Sequence, residues 1–337
     1  MRTCDSRVLL LLLLVAASRE ASAAEYFIQV RPLSRTMPDG QAVAMWGYAL
    51  DEDHDFSTLD SPITAPGPQL TVPEGDTTLT VHLYNGLAVP TSLVIPGQVA
   101  LMTPTWVEGS AVYVGQRPAG NVTARVRSFT HETAPGAVGV YSWTGLKPGT
   151  WLYQSGTHPA VQVQMGLYGA MVKASAAGEA YPGIPYARAV TLLFSEVDPV
   201  LHEAVASGTY GPGGAITSTI GYRPRYFLIN GEPYSAAMGP LPVGRVGERI
   251  LLRFLSAGQQ TRVPVLLGAY LSLVAEGGSP LRYPSHQYSV PLPAGGTVDA
   301  LLIPDTPGVL PLYDRRLGLT NGAATGGGML RLLQVSP

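Results

Sequence analysis

Leu79-Thr80-Val81-His82-Leu83-Tyr84 decides the fold class. Its aliphatic residues fall at every second position, and side chains two apart share one face of an extended chain. The run reads as a half-buried strand, with Leu79, Val81 and Leu83 inward. His82 lies on the opposite face, toward solvent or a partner sheet. Pro73-Glu74-Gly75-Asp76 just before it supplies a turn. Similar runs occur at Thr191 to Phe194, Tyr226 to Ile229, Ile250 to Leu255, Val298 to Ile303 and Met329 to Val335. Asn230-Gly231 tolerates positive φ at both residues and signals a hairpin. One short helix is predicted, with Asp198 as N-cap, Pro199 at the first helical position and Gly208 near the stop. Short strands with turns between them predict a sandwich or a barrel.

Composition agrees with an all-β chain. Of 337 residues, 46% are hydrophobic and 13% charged, enough for a sizeable core. The length suits two domains of about 150 residues. There are 39 glycines and 30 prolines. In helix interiors a proline costs roughly 3 kcal/mol and a glycine about 1, so a helical bundle is excluded. Basic and acidic residues number 21 and 23, a balance that argues against nucleic acid as partner. Lys147 and Lys173 are the only lysines, so nearly all positive charge is arginine.

The N-terminus reads as an address. Arg2 and Arg7 precede the apolar run Val8 to Ala17, and Ala21-Ser22-Ala23 follows. A basic start, an apolar stretch too short to span a bilayer and an A-x-A site describe a secretory signal peptide. The predicted segment is 1–24, with cleavage after Ala23 or Ala24 and a mature chain from near Glu25. The expected location is periplasmic or extracellular, with no membrane span. Cleavage would remove Cys4, the only cysteine, leaving no disulfide and no thiolate metal ligand. The small-residue and Pro/Gly stretch Ala174 to Pro185 is the expected boundary between a first domain, 25–175, and a second, 176–337.

A series of segments then resembles the multicopper oxidases, which are built from cupredoxin β-sandwiches. Pro66-Gly67-Pro68-Gln69-Leu70, Glu74-Gly75-Asp76, Asn85 and Pro90-Thr91-Ser92 resemble the opening of that family's first domain. Gly149-Thr150-Trp151-Leu152-Tyr153 and Gln164-Met165-Gly166-Leu167-Tyr168-Gly169 resemble its end. Leu193-Phe194-Ser195-Glu196, Tyr226-Phe227-Leu228-Ile229-Asn230-Gly231 and Leu252-Arg253-Phe254-Leu255-Ser256-Ala257-Gly258 resemble the second domain. The resemblance implies two cupredoxin-like Greek-key sandwiches.

The family's copper chemistry rests on H-x-H pairs, whose imidazoles share one strand face, and on a cysteine with two histidines for the blue copper. The resemblance places these pairs at 94/96 and 154/156. Here those positions hold Val94, Pro96, Gln154 and Gly156. Glutamine is a poor copper ligand, and the other three offer no side-chain donor. No H-x-H pair occurs among the six histidines, 54, 82, 131, 158, 202 and 286. A residual one-metal site could use His131, His158, Glu132 or Met165. Without copper, Val94 and Pro96 are expected to pack against apolar neighbours, with Gln154 hydrogen-bonded nearby.

Other features are read as structural. Asp51-Glu52-Asp53-His54-Asp55 lacks calcium-loop spacing and reads as a solvated turn. Asp314-Arg315-Arg316 reads as an ion pair beside a strand, and Met165 as core. Asn121-Val122-Thr123 fits a glycosylation sequon, and Gly322 to Gly328 a loop. No G-x-S-x-G element marks a hydrolase. The expectation is an exported structural or partner-binding protein with no cofactor, copper being the alternative. Its protein partner is unidentified, and an oligomer is compatible with it. The alternative function is a copper-dependent oxidase subunit whose ligands come wholly or partly from another chain.

Overall fold

The alternating run occupies a strand whose partners explain its pattern. The computed structural model describes residues 23–120 and 123–337. Along the chain come β1 (Ala23–Thr36), β2 (Ala42–Leu50), β3 (Leu70–Val72) and β4 (Thr78–Asn85). They are followed by β5 (Thr105–Glu108), β6 (Ala111–Val114), β7 (Arg125–Ser128) and β8 (Val138–Thr144). β9 (Gly149–Gln154) and β10 (Tyr168–Lys173) complete this half. One sheet runs β2-β1-β4-β8, the facing one β3-β10-β9, and a side sheet β6-β5-β7. In β4 the odd residues Leu79, Val81 and Leu83 are fully buried between the two main sheets. Each such burial stabilises by roughly 1.5–3 kcal/mol. His82, on the other face, hydrogen-bonds Glu25 at 2.7 Å and stacks on Phe27.

Of the predicted leader, 1–24, residues 1–22 lie outside the described residues. Ala23 and Ala24, between which or after which cleavage was placed, already pair with Thr78 and Leu79 as the start of β1.

The second half packs an eight-stranded sheet against a four-stranded one. Arg188–Val197 lies centrally and runs parallel to Ile250–Ser256. Every residue of Ile250–Ser256 is buried, because both faces of the strand are covered. Leu252 and Phe254 point into the second core, with Leu192, Phe194, Leu312 and Leu333. Leu251 and Leu255 point the other way, into clusters with Tyr181 and with Leu152 and Tyr168 of the first half. A strand covered on both faces carries apolar residues at adjacent positions rather than in alternation, and here Arg253 is the one charged residue among them.

Polar groups fix the junction of the halves. Arg253 donates to Thr150 Oγ1 at 2.7 Å, Thr150 donates to Asp299 at 2.6 Å, and Tyr181 donates to the other Asp299 oxygen at 2.6 Å. Burial pushes the Asp299 carboxyl up, against the pull of Arg253. Gly278 is required there as well, since a Cβ would lie 2.2 Å from the Trp151 ring.

The helix predicted after Asp198 is α2 (Pro199–Ala206), with the Asp198 side chain accepting from Val200 and Leu201 N–H. Before it comes α1 (Pro159–Met165), which the sequence reading did not anticipate. Asn230-Gly231 forms its turn, with Ile229 and Glu232 exchanging hydrogen bonds. Among the described residues no hairpin partner follows; Tyr226–Ile229 pairs instead with Arg188–Val197 and Thr320–Asn321. Gly231 instead packs on Ala65 of the first half, where a Cβ would lie 2.4 Å from the carbonyl.

Candidate functional site

The positions that the resemblance assigns to copper lie where β9 ends and a loop from 91 to 95 runs beside it. Val94 and Gln154 exchange backbone hydrogen bonds of 2.8 and 2.9 Å. Val94 is buried, and Gly156 lies directly beneath it. A Cβ at 156 would come within 2.7 Å of Val94 Cγ1 and 3.1 Å of Ser92 Oγ. No side chain fits at 156 without displacing its neighbours. Pro96, expected to pack, is exposed instead. Ile95 takes the core position, and Gly97, at φ 90°, turns the chain away over Trp151. Gln154 meets Val94 through its backbone rather than its amide.

Behind this contact is a network that the sequence reading missed. Ser92 Oγ lies 3.1 Å from Ser128 Oγ and accepts from Thr157 Oγ1 at 2.9 Å and from Gly156 N–H at 3.1 Å. Gln162 Oε1 accepts from Thr91 at 2.8 Å and from Ser155 at 2.7 Å, and its Nε2 donates to Pro90 O at 2.8 Å. All of these side chains are buried. Buried hydroxyls and amides are retained only when they are paired, because an unpaired one costs about 1–3 kcal/mol. The signal was legible as Thr91-Ser92, Ser128, Ser155 and Thr157, but nothing local says that those hydroxyls converge.

The candidate ligands for a residual metal are placed apart. His131 Nε2 donates to Val140 O at 3.1 Å, and its ring stacks on Tyr141. Glu132 pairs with Arg127, one bond measuring 3.1 Å. His131 and Glu132 line a recess of about 310 Å³ with Val112 and Val114. His158 takes a left-handed conformation, φ 40° and ψ 57°, as it starts α1. Its side chain lines a different cleft, of about 460 Å³. Arg127 lines both. Met165 is buried in α1. Neither cavity is lined by Val94 or Gln154. Burial pushes the His158 imidazole pKa down, Arg127 adds to that shift, and Glu132 opposes it.

Elsewhere, Asp51, Asp53 and Asp60 bring one oxygen each within 4.8 Å of one another. The turn Asp51–Asp55 thus gathers with Asp60, which accepts from Glu52 N–H at 2.7 Å and from Asp53 N–H at 3.0 Å. Asp51 is buried and accepts from Gln29. The ion pair expected at Asp314-Arg315-Arg316 forms with Arg262 instead, at 3.1 Å. The sequon residues 121 and 122 lie outside the described residues.

Solved structures resemble this arrangement over nearly its whole length. A blue copper oxidase from Nitrosomonas europaea superposes with a TM-score of 0.70 at 18% identity, covering 93% of this chain and 86% of its own. The chain has the two-domain cupredoxin fold. The multicopper oxidase mgLAC shares it with a TM-score of 0.68 at 18% identity, covering 93% of this chain and 86% of its own. A copper nitrite reductase from Nitrosomonas europaea gives 0.65 at 17% identity and 94% of each chain. No protein-family profile and no curated protein matches the chain.

These comparisons correct the expectation of no cofactor. The solved proteins that share this cupredoxin fold include copper oxidases and a copper nitrite reductase, so the fold points to copper. The residues at the oxidase ligand positions nevertheless do not fit it: Val94 and Gly156 are packed together, and no imidazole stands at 94, 96, 154 or 156. Among the described residues no helix is long and apolar enough to cross a membrane.

Proposed function

We propose that the chain is an exported partner-binding protein on a cupredoxin scaffold without blue or trinuclear copper sites, in which Val94 and Gly156, at two of the expected ligand positions, are packed against each other. The observation that carries this reading is an apolar outer surface on the first sandwich. Val112 and Val114 share a face of β6, at the edge of its sheet, and are 51% and 67% exposed. They line the recess that holds His131, whose ring is tied to the edge strand β8 at Val140. Val138, Val140 and Phe129 are exposed as well. Apolar exposure of this kind, beside two sheet edges, suits a protein partner. Export rests on the apolar leader and its A-x-A site.

The test places a photo-crosslinker at Val114 and repeats the experiment with Val112→Lys. One defined partner captured from the native host, and lost with the lysine, is the expected result. The purified, copper-loaded mature chain should show no intense blue band, because cleavage of the leader removes Cys4, the only cysteine. Protein-dependent oxidation of phenols that survives desalting would overturn the reading in favour of an oxidase.

A further inference from the structure

We propose that the cleft between the two sandwiches is a binding site for a small aromatic carboxylate. It has a volume of about 460 Å³, within the range of roughly 300–1,000 Å³ usual for small-molecule sites. Its charge is one-sided. Arg125, Arg127 and His158 line it, and no carboxylate does. Glu132 neutralises Arg127 from the neighbouring recess, whereas Arg125 has no ion-pair partner among the described residues. The same field reaches His158, whose pKa is held down by burial first and then by Arg127.

A guanidinium matches a carboxylate with two parallel N–H donors, and an ammonium does not. In a chain with only two lysines, both cationic side chains of this cleft are arginines.

The rest of the lining is apolar or already committed. Trp46 and Tyr210 offer aromatic surface from opposite halves of the chain. Gln162, at the floor, spends its amide on Thr91, Ser155 and Pro90. A ligand here needs one anionic head for the arginines and a flat apolar body for the rings. Such a molecule would touch both sandwiches at once. This inference does not depend on the docking surface at β6.

Titration calorimetry of the full chain with benzoate, benzamide and inorganic phosphate tests it. Benzoate should bind, with benzamide and phosphate each weaker by about tenfold or more, the usual loss when a charge-assisted contact or its apolar counterpart is missing. Arg125→Ala should weaken benzoate by a similar factor with an unchanged melting temperature, and Arg125→Lys should restore only part of it. Tyr210→Ala should weaken benzoate and leave phosphate unaffected. No heat with benzoate, equal binding of benzamide, phosphate as tight as benzoate, or an unaltered Arg125→Ala would each overturn the proposal.

Discussion

Two arginine clusters in this chain are built in opposite ways. Arg262 is fully buried, holds Asp314 at 3.1 Å and Glu196 on its other terminal nitrogen, and stacks over Phe227. Two carboxylates surround one cation there, and each has further donors: Glu196 accepts from Gln259 and Gln260 N–H, Asp314 from Val263 N–H. Arg125, Arg127 and His158 face an open cleft with a single carboxylate, Glu132, beside them. One residue type thus serves two ends. A buried ion must find its counter-charge within the chain, because leaving it unpaired is prohibitive. A cation on an open wall keeps its solvation and can exchange it for a mobile anion.

The first way to test this contrast is to remove the buried cation. Arg262→Met should destabilise the protein by about 3–5 kcal/mol, since it strands two buried carboxylates. Chemical denaturation measures it, and a loss under about 1 kcal/mol would mean that the pair behaves like a surface one.

The second asks whether the oxidase positions are closed by packing. Gly156→His should cost about 1–3 kcal/mol through overcrowding against Val94, and Val94→Ala should recover part of it in the double variant. Additive losses in the thermal melts would show that residues 94 and 156 do not share one space.

A smaller effect separates the two histidines that burial depresses. His202 Nδ1 donates to Ala44 O at 2.7 Å, and burial pushes its pKa down. With a folded pKa below the unfolded one, the unfolded chain takes up the proton first. The stability from neutral His202 is therefore complete above about pH 6.5 and is lost as the pH falls below it. His158 has the same sign. His202→Gln should flatten the pH dependence of unfolding over that window. For His158, a bound carboxylate should favour the charged imidazole and move its NMR titration upward; an unmoved titration would count against the anion cleft.

The smallest expected effect on stability belongs to the open cluster. Arg125→Ala should shift unfolding by no more than about 0.5 kcal/mol, as for other exposed side chains without a partner. A larger loss would make Arg125 a structural cation like Arg262.

Much of the fold was legible because its signals are local. The alternation in Leu79–Tyr84 required a sheet with one wet face, and β4 has that pattern. The run Ile250 to Leu255 marked a strand, but that both its faces are covered came from the second sandwich pressing one face of it on the first, with Arg253 as its single charged residue. Asp198-Pro199 was enough to start α2, because an N-cap acts within its own turn. α1 was missed because its seven residues carry no amphipathic repeat, and its buried glutamines are explained only by partners far along the chain. The absence of a cofactor was misjudged for a related reason: missing ligands at four positions speak for those positions, while the fold as a whole is that of copper proteins.

The all-β class, the likeness to cupredoxin sandwiches and the lack of histidine at 94, 96, 154 and 156 are all visible in the primary sequence, since periodicity, turn residues and side-chain identity are read one residue at a time. That Gly156 lies under Val94, that Ser92, Ser128 and Thr157 close a hydroxyl network, and that Arg125, Arg127 and His158 face a common cleft emerges from the packed sheets alone. Those facts depend on which distant strands lie side by side. Hydrogen bonds and charges act over a few ångströms, so residues separated by dozens of positions acquire a shared chemistry only when the sheets bring them together.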